Sequence, residues 1–203
     1  MSESPAAIGA ERVFIRHAKD KFRGDIYRLS DAVKAPFPTS SGSSCASAVN
    51  VRASGRWLLG VQTADHAWVA LFSNAASGPE IFKTLAASRN LDAVCVGYDP
   101  KRGWTFQLNR AGKRAADFSL PPQYADQVHK ARFKSTELDA SLLEGCRSGD
   151  EALQRLCQAI EVDLDACRVE QVEGQFRVLN AQGKLLGGAV RGHFIKNGYA
   201  LNA

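Results

Sequence analysis

The chain has 203 residues and a formal net charge of +5 at pH 7, with 45% hydrophobic and 23% charged residues. This length suits one domain of ordinary size, or one domain with a small appendage, and the composition is typical of a soluble globular protein. No stretch approaches the roughly 18 consecutive apolar residues of a membrane-spanning helix. Residues 1–10 also lack the basic start and apolar run of a secretory signal, so the sequence predicts a cytoplasmic protein with no membrane partner.

The N-terminal region is rich in basic residues between positions 12 and 28. Within it, Val13-Phe14-Ile15 fits either the start of a strand or part of a helix face. Basic clusters of this kind can bind the phosphates of nucleic acid, whereas the interspersed acidic residues are typical of a solvated surface. Nucleic-acid binding therefore stays open as a further alternative, and the basic residues concerned are Arg12, Arg16, Lys19, Lys21, Arg23 and Arg28.

The segment from 48 to 72 is predicted to form three antiparallel strands. Residues 48–53 alternate, Ser54-Gly55 is a favourable hairpin turn, and residues 56–62 are expected to return beside the first strand. Residues 66–72 then supply the third strand.

Residues 68–118 change their hydrophobic period three times, and this is the clearest pattern in the chain. An apolar run at 68–72 is followed by helical spacing at 79–88, a second apolar run at 93–98 and strict alternation at 104–108. That order predicts strand, helix, strand, turn and strand. A final strand is expected at 114–118.

The helix in this region has a recognisable start and a recognisable buried face. Ser77 is a candidate N-cap, and Glu80 falls in the first turn, where a negative charge is favourable. Ile81, Phe82 and Leu85 share one face and are expected to be buried.

The C-terminal part predicts a second helix followed by a β-meander. Residues 150–160 are amphipathic, and Ser148 and Glu151 have the spacing of a capping box. Residues 167–172 and 175–179 alternate on either side of a turn. The predicted fold class is therefore α+β: mainly antiparallel sheet with one or two helices packed on a face, plus this C-terminal helix and meander.

The predicted domain boundary lies at residue 122. Residues 1–122 form the α+β domain, and residues 123–203 are either a second lobe or an extension of the same domain. Residues 123–148 are polar and mixed, which is typical of a partly helical connector.

Cysteine and histidine spacing gives no support for a metal or cofactor. The five cysteines are irregularly spaced without a CxxC pair, and the four histidines form no HxH or HxxxH pair. No metal and no cofactor is therefore predicted. Cys95 lies in an apolar run and is expected to be a buried thiol.

Cys45 and His66 are the best candidates for catalysis. Cys45 follows a Gly/Ser-rich loop, and a cysteine that precedes a strand-borne histidine resembles the papain-like NlpC/P60 peptidases. The resemblance implies a thiolate nucleophile and a histidine base. The chain departs from the family because residues 48–53 are predicted as a strand rather than a helix, and because the Cys-to-His spacing is short. A cysteine hydrolase is the alternative function.

Lys101, Arg102, Trp104 and Phe106 are the candidate partner-binding residues. Trp104 and Phe106 alternate onto one face of a strand, directly after two basic residues in a turn. Aromatic and basic side chains are frequent in binding hot spots. Core packing is the ordinary role of a tryptophan in a strand, and both readings stay open.

Residues 81–118 resemble small bacterial α+β modules of the immunity-protein type. The likeness is carried by a helix ending in LAASRN, the strand LDAVCVGYD, the turn and strand KRGWTFQL, the turn NRAGKR and a closing ADF. The resemblance implies a bacterial toxin–antitoxin function, in which a non-catalytic protein neutralises a toxin by occlusion. The net positive charge suits a toxin with an acidic surface.

Overall fold

The computed structural model describes the elements that form the core of the chain. They are residues 11–17, 39–40, 48–49, 57–63, 67–73, 77–85, 91–165, 168–172, 175–179, 182–184 and 190–197. Within these ranges the protein is α+β, with twelve strands and two α-helices, which confirms the predicted fold class.

The elements follow one another along the chain with these bounds. The strands are β1 (Arg12–His17), β2 (Thr39–Ser40), β3 (Ala48–Val49), β4 (Trp57–Thr63), β5 (Val69–Ser73), β6 (Leu91–Asp99), β7 (Gly103–Arg110), β8 (Lys113–Leu120), β9 (Arg132–Ser135), β10 (Arg168–Val172), β11 (Gln175–Leu179) and β12 (Val190–Asn197). The helices are α1 (Gly78–Leu85) and α2 (Gly149–Ala159).

The main sheet is antiparallel throughout and has the strand order β2-β12-β4-β5-β1-β6-β7-β8-β9. The six adjacent strands β4-β5-β1-β6-β7-β8 form its continuous centre, and β9 lies at one edge. β1 lies between two strands that come later in the chain, so Val13 is opposite both Leu71 and Cys95. The ambiguity over Val13-Phe14-Ile15 is thus resolved as a strand.

A second, three-stranded sheet has the order β10-β11-β3. It confirms the predicted hairpin of residues 167–179 but corrects the predicted hairpin of residues 48–62. Ala48 and Val49 pair with Arg177 and Phe176, while β4 has β5 on one side and β12 on the other. Both edges of β4 are occupied, so the strand at 48–49 cannot pair with it.

The two faces of the main sheet carry separate apolar clusters. We call them the α2 face and the α1 face, after the helix that packs on each. The buried residues of the α2 face include Phe14, Val94, Val96, Trp104, Phe106, Leu108, Phe118 and Leu120 from strands, with Leu153, Leu156, Cys157 and Ile160 beneath α2. Those of the α1 face are Val13, Ile15, Val69, Leu71, Leu91, Ala93 and Cys95, with Ile81, Phe82 and Leu85 of α1.

α1 begins as the sequence predicts. The Glu80 carboxylate accepts hydrogen bonds from the Ser77 N–H at 2.7 Å and from the Ser77 hydroxyl at 2.8 Å. The bond from the Ser77 backbone N–H, together with that from its hydroxyl, lowers the pKa of Glu80. The predicted apolar stripe is also confirmed, because Ile81, Phe82 and Leu85 are all buried.

α2 begins with the predicted cap. It ends in a turn whose left-handed position, usually taken by glycine, is occupied by a residue with a side chain. The Ser148 hydroxyl accepts a bond from the Glu151 N–H at 3.2 Å. At the other end, the Val162 N–H donates to the Cys157 carbonyl at 2.9 Å, which is the long bond of a Schellman motif. Glu161 occupies the left-handed position of that motif, with φ of 62°.

Two tryptophans attach the ends of α2 to the sheet. The Trp104 indole N–H donates to the Asp150 carboxylate at 2.8 Å, in the first turn of the helix. The Trp68 indole N–H donates to the Ile160 carbonyl at 2.9 Å, directly after the last turn. Gly149 lies against the Trp104 ring so closely that an added Cβ would be 2.3 Å from the ring carbon Cδ2.

Residues 123–148 contain one strand that the sequence analysis missed. β9 pairs with β8 at one edge of the main sheet, and β12 joins the sheet on its other side. The domain boundary at residue 122 stays a prediction. In the described part of the chain, no helix has the length and apolar character that crossing a bilayer requires.

Candidate binding surface

The four predicted partner-binding residues do not form one surface. Trp104 is 7% exposed and Phe106 is fully buried, and both belong to the α2-face core. Lys101 and Arg102 are exposed in the turn between β6 and β7. The expected aromatic–basic patch is therefore corrected, because the period of two places the aromatic pair on the face that α2 covers.

The charge of Arg102 is already matched within the protein. Its guanidinium forms an ion pair with the Glu11 carboxylate, which also accepts a hydrogen bond from the Thr105 hydroxyl at 2.8 Å. Asp99 lies 3.7 Å from the Arg102 Nε. Lys101 is exposed in the same turn and forms no salt bridge with another described residue.

Cys45 and His66, the candidate hydrolase pair, lie outside the described residues. Three other cysteines, Cys95, Cys146 and Cys157, are described as free thiols, and burial raises the pKa of each. Burial raises the pKa of the Cys95 thiol to about 12, with a smaller contribution from Glu11, and burial also raises the pKa of Cys157. The predicted burial of the Cys95 thiol is confirmed.

The N-terminal basic segment is described only as far as β1. Arg12 donates a hydrogen bond to the Leu164 carbonyl, so its guanidinium is engaged within the protein. Lys19, Lys21, Arg23 and Arg28 lie outside the described residues. Across the ranges given above, no group of three or more His, Cys, Asp or Glu side chains could hold a metal ion.

A cleft of about 770 Å³ lies beside the C-terminal end of α2. Its charged lining is mixed: Arg12 and Arg168 contribute positive charge, and Glu161, Asp163 and Asp165 contribute negative charge. Since these charges balance to within one unit and Arg12 is engaged, the cleft does not select strongly for either sign of ligand.

The α1 face is only partly covered by its helix. α1 packs against β1 and β6, and its border toward β8 is formed by Arg114, whose guanidinium carbon lies 5.4 Å from the centre of the Phe82 ring. Arg114 also pairs with Asp117 at 2.9 Å. Beyond this border the same face continues over β7, β8 and β9.

The register of the strands identifies the side chains on this uncovered part. Directly opposite residues share a face of the sheet, and Cys95 is opposite Gln107, Gln107 opposite Asp117, and Asp117 opposite Lys134. Cys95 lies beneath α1, so the row runs from a buried thiol to an exposed lysine. The part of the α1 face that no described helix covers is polar and becomes basic at β9.

β9 ends the main sheet and carries exposed positive charge. Lys130, Arg132 and Lys134 are all exposed, and none of them has an ion pair with another described residue. Asp117, opposite Lys134, forms its ion pair with Arg114 at 2.9 Å, and the Glu137 carboxylate is held by the Arg110 Nε at 3.0 Å. We call these three cations the basic edge.

The backbone of β9 has two different sides. The Thr136 N–H donates to the Ala115 carbonyl at 2.8 Å, one position beyond the pair of Ser135 with Ala116. Because bonding alternates along an antiparallel pair, the N–H and C=O groups of Lys134 face β8. Those of Phe133 and Ser135 face away from the sheet.

Sequence reasoning missed the basic edge because residues 123–148 look like a polar connector. The available signal was the alternation of Arg132, Phe133, Lys134 and Ser135, which has a single apolar residue and is therefore weak.

Comparison with known protein families, characterised proteins and solved structures finds no match to this chain.

Proposed function

We propose that this chain is a non-catalytic binding protein of the immunity type, which neutralises a bacterial toxin by covering its acidic surface. The basic edge carries this proposal, because Lys130, Arg132 and Lys134 are exposed and none of them forms an ion pair with another described residue. The polar part of the α1 face beside it gives the partner a further surface to cover.

Electrostatics explains what such an edge contributes. Complementary potentials accelerate association and disfavour partners of the same sign, while rim charges add less to the final affinity. The net charge of +5 acts in the same direction as the basic edge. Binding should therefore weaken steeply as salt concentration rises.

The test compares two charge-neutralising double variants. Arg132→Gln/Lys134→Gln removes the two β9 cations of the basic edge, and Lys83→Gln/Lys113→Gln removes two other exposed cations with the same change in net charge. Each immobilised protein is exposed to lysate of the native host. The partner should be retained by the wild type and the control variant, with at least tenfold less retained by the edge variant.

The retained protein is then expressed alone and together with this chain. Growth arrest by the partner alone, relieved by the wild type but not by the edge variant, is the expected result. A partner that does not arrest growth, or equal relief by both double variants, contradicts the proposal. Cys45→Ala should leave the relief intact, whereas a cysteine hydrolase loses its activity with this change.

A further inference from the structure

We infer that β9 binds its partner by strand addition, taking up an extended segment with acidic side chains at alternate positions. The inference rests on the proposed function, and it specifies how the partner is held. Its two components are the outward backbone of β9 and the spacing of the basic edge.

The backbone supplies a ready partner for an incoming strand. The N–H and C=O groups of Phe133 and Ser135 point away from β8, and no described strand lies beyond β9 in the sheet. An extended segment can pair with these groups as the next strand of the sheet, which is a recurring mode of peptide recognition.

Side chains set the sequence of that segment. Arg132 and Lys134 are two residues apart and share the α1 face, so directly opposite side chains lie within about 5.5 Å of each of them. Carboxylates at alternate positions of the segment therefore meet both cations. Phe133 points to the other face, where it packs at the rim of the α2-face core beside Phe118, and an apolar residue between the two acids covers it.

The same charges argue against a second copy of this chain as the occupant. Two β9 strands placed edge to edge bring Arg132 and Lys134 of each copy against cations of the other, and like charges in opposed positions are destabilising. Basic residues on edge strands are a recognised protection against such self-pairing. The occupant that fits is an acidic segment of a different protein.

Two synthetic peptides of equal composition test the inference directly. One alternates valine and glutamate, and the other carries the same residues with all glutamates contiguous. Amide hydrogen exchange of the ¹⁵N-labelled wild-type protein is followed by NMR with each peptide. The alternating peptide should slow exchange at Phe133 and Ser135 at least tenfold, with little change at Lys134, whose N–H already faces β8.

The control variants assign this protection to the basic edge. Arg132→Gln/Lys134→Gln should abolish it, and Lys83→Gln/Lys113→Gln should keep it. Equal effects of the two peptides, or binding without slower exchange at Phe133 and Ser135, overturn strand addition. The two experiments decide different questions. The exchange data test strand addition, and the growth-arrest experiment tests the proposed function, so either can fail while the other succeeds.

Discussion

The α2 face and the α1 face belong to the same sheet, but they are closed to different extents. The α2 face is apolar from Phe14 to Phe118 and is covered by a helix attached at both ends by indole hydrogen bonds. The α1 face is apolar only beneath the short helix α1 and becomes polar and basic toward β9. If the proposed function holds, the residues that stabilise the fold and those that contact the partner lie in different regions, so substitutions in each should have separable effects.

The largest effect is expected for Gly149→Ala, because the new Cβ would lie 2.3 Å from Cδ2 of the Trp104 ring. Overpacking of this kind should lower the free energy of unfolding by about 3 kcal/mol, measured by urea denaturation. Gly145→Ala is the matched control: its Cβ meets nothing within 4 Å, and its φ of +72° limits the loss to about 1 kcal/mol. Equal losses would mean that α2 is not fixed against Trp104.

Trp68→Phe should cost about 2 kcal/mol, since it removes the bond to the Ile160 carbonyl at the buried end of α2. Trp104→Phe should cost about 1 kcal/mol, because the half-buried Asp150 carboxylate regains hydration. Thermal unfolding of both variants measures the difference. The reverse order would show that the start of the helix, and not its end, is the more firmly attached.

Glu161→Gly should stabilise the α2 face by about 1 kcal/mol. The left-handed φ of 62° is unfavourable for a residue with a side chain and is accessible to glycine without strain. Glu161→Ala keeps the strain while removing the carboxylate, so its melting temperature should stay close to that of the wild type. A gain of similar size in both variants would assign the effect to the carboxylate rather than to the backbone.

Arg132→Gln/Lys134→Gln should have the smallest effect on folding. Both side chains are exposed at the edge of the sheet, and surface substitutions of this kind change stability by less than about 0.5 kcal/mol. Its urea midpoint should match that of Lys83→Gln/Lys113→Gln. A loss above 1 kcal/mol would show that β9 contributes to stability, and the separation between the two regions would then fail.

Local patterns predicted the elements well and the long-range pairings poorly. The strands and helix between residues 68 and 120, and the cap at Ser148, follow from period and capping residues that are neighbours in sequence. The pairing of Val49 with Phe176 could not be predicted, because the nearby Ser54-Gly55 turn signal favours a local hairpin. The sequence alone does not show how much apolar surface a strand buries against a strand distant in the chain, and that burial decides which two strands pair.

The predicted binding patch failed for a related reason. Alternation correctly placed Trp104 and Phe106 on one face, but it carries no information about which face α2 covers. The basic edge was missed because an edge strand needs only one partly buried apolar side chain, here Phe133, and so has little apolar signal. Cys45 and His66 stay a prediction from sequence.

The position of β1 has a consequence for folding kinetics. Val13 pairs with Leu71 on one side and with Cys95 on the other, so this strand joins two locally connected hairpin units through contacts that are distant in sequence. Proteins dominated by such contacts fold in milliseconds to seconds, because the chain loses the entropy of closing long loops before the paired strands contribute stabilising interactions. The sheet becomes continuous only when β1 has paired with both β5 and β6. Substitutions in β1 should therefore slow refolding more than substitutions in the β7–β8 hairpin.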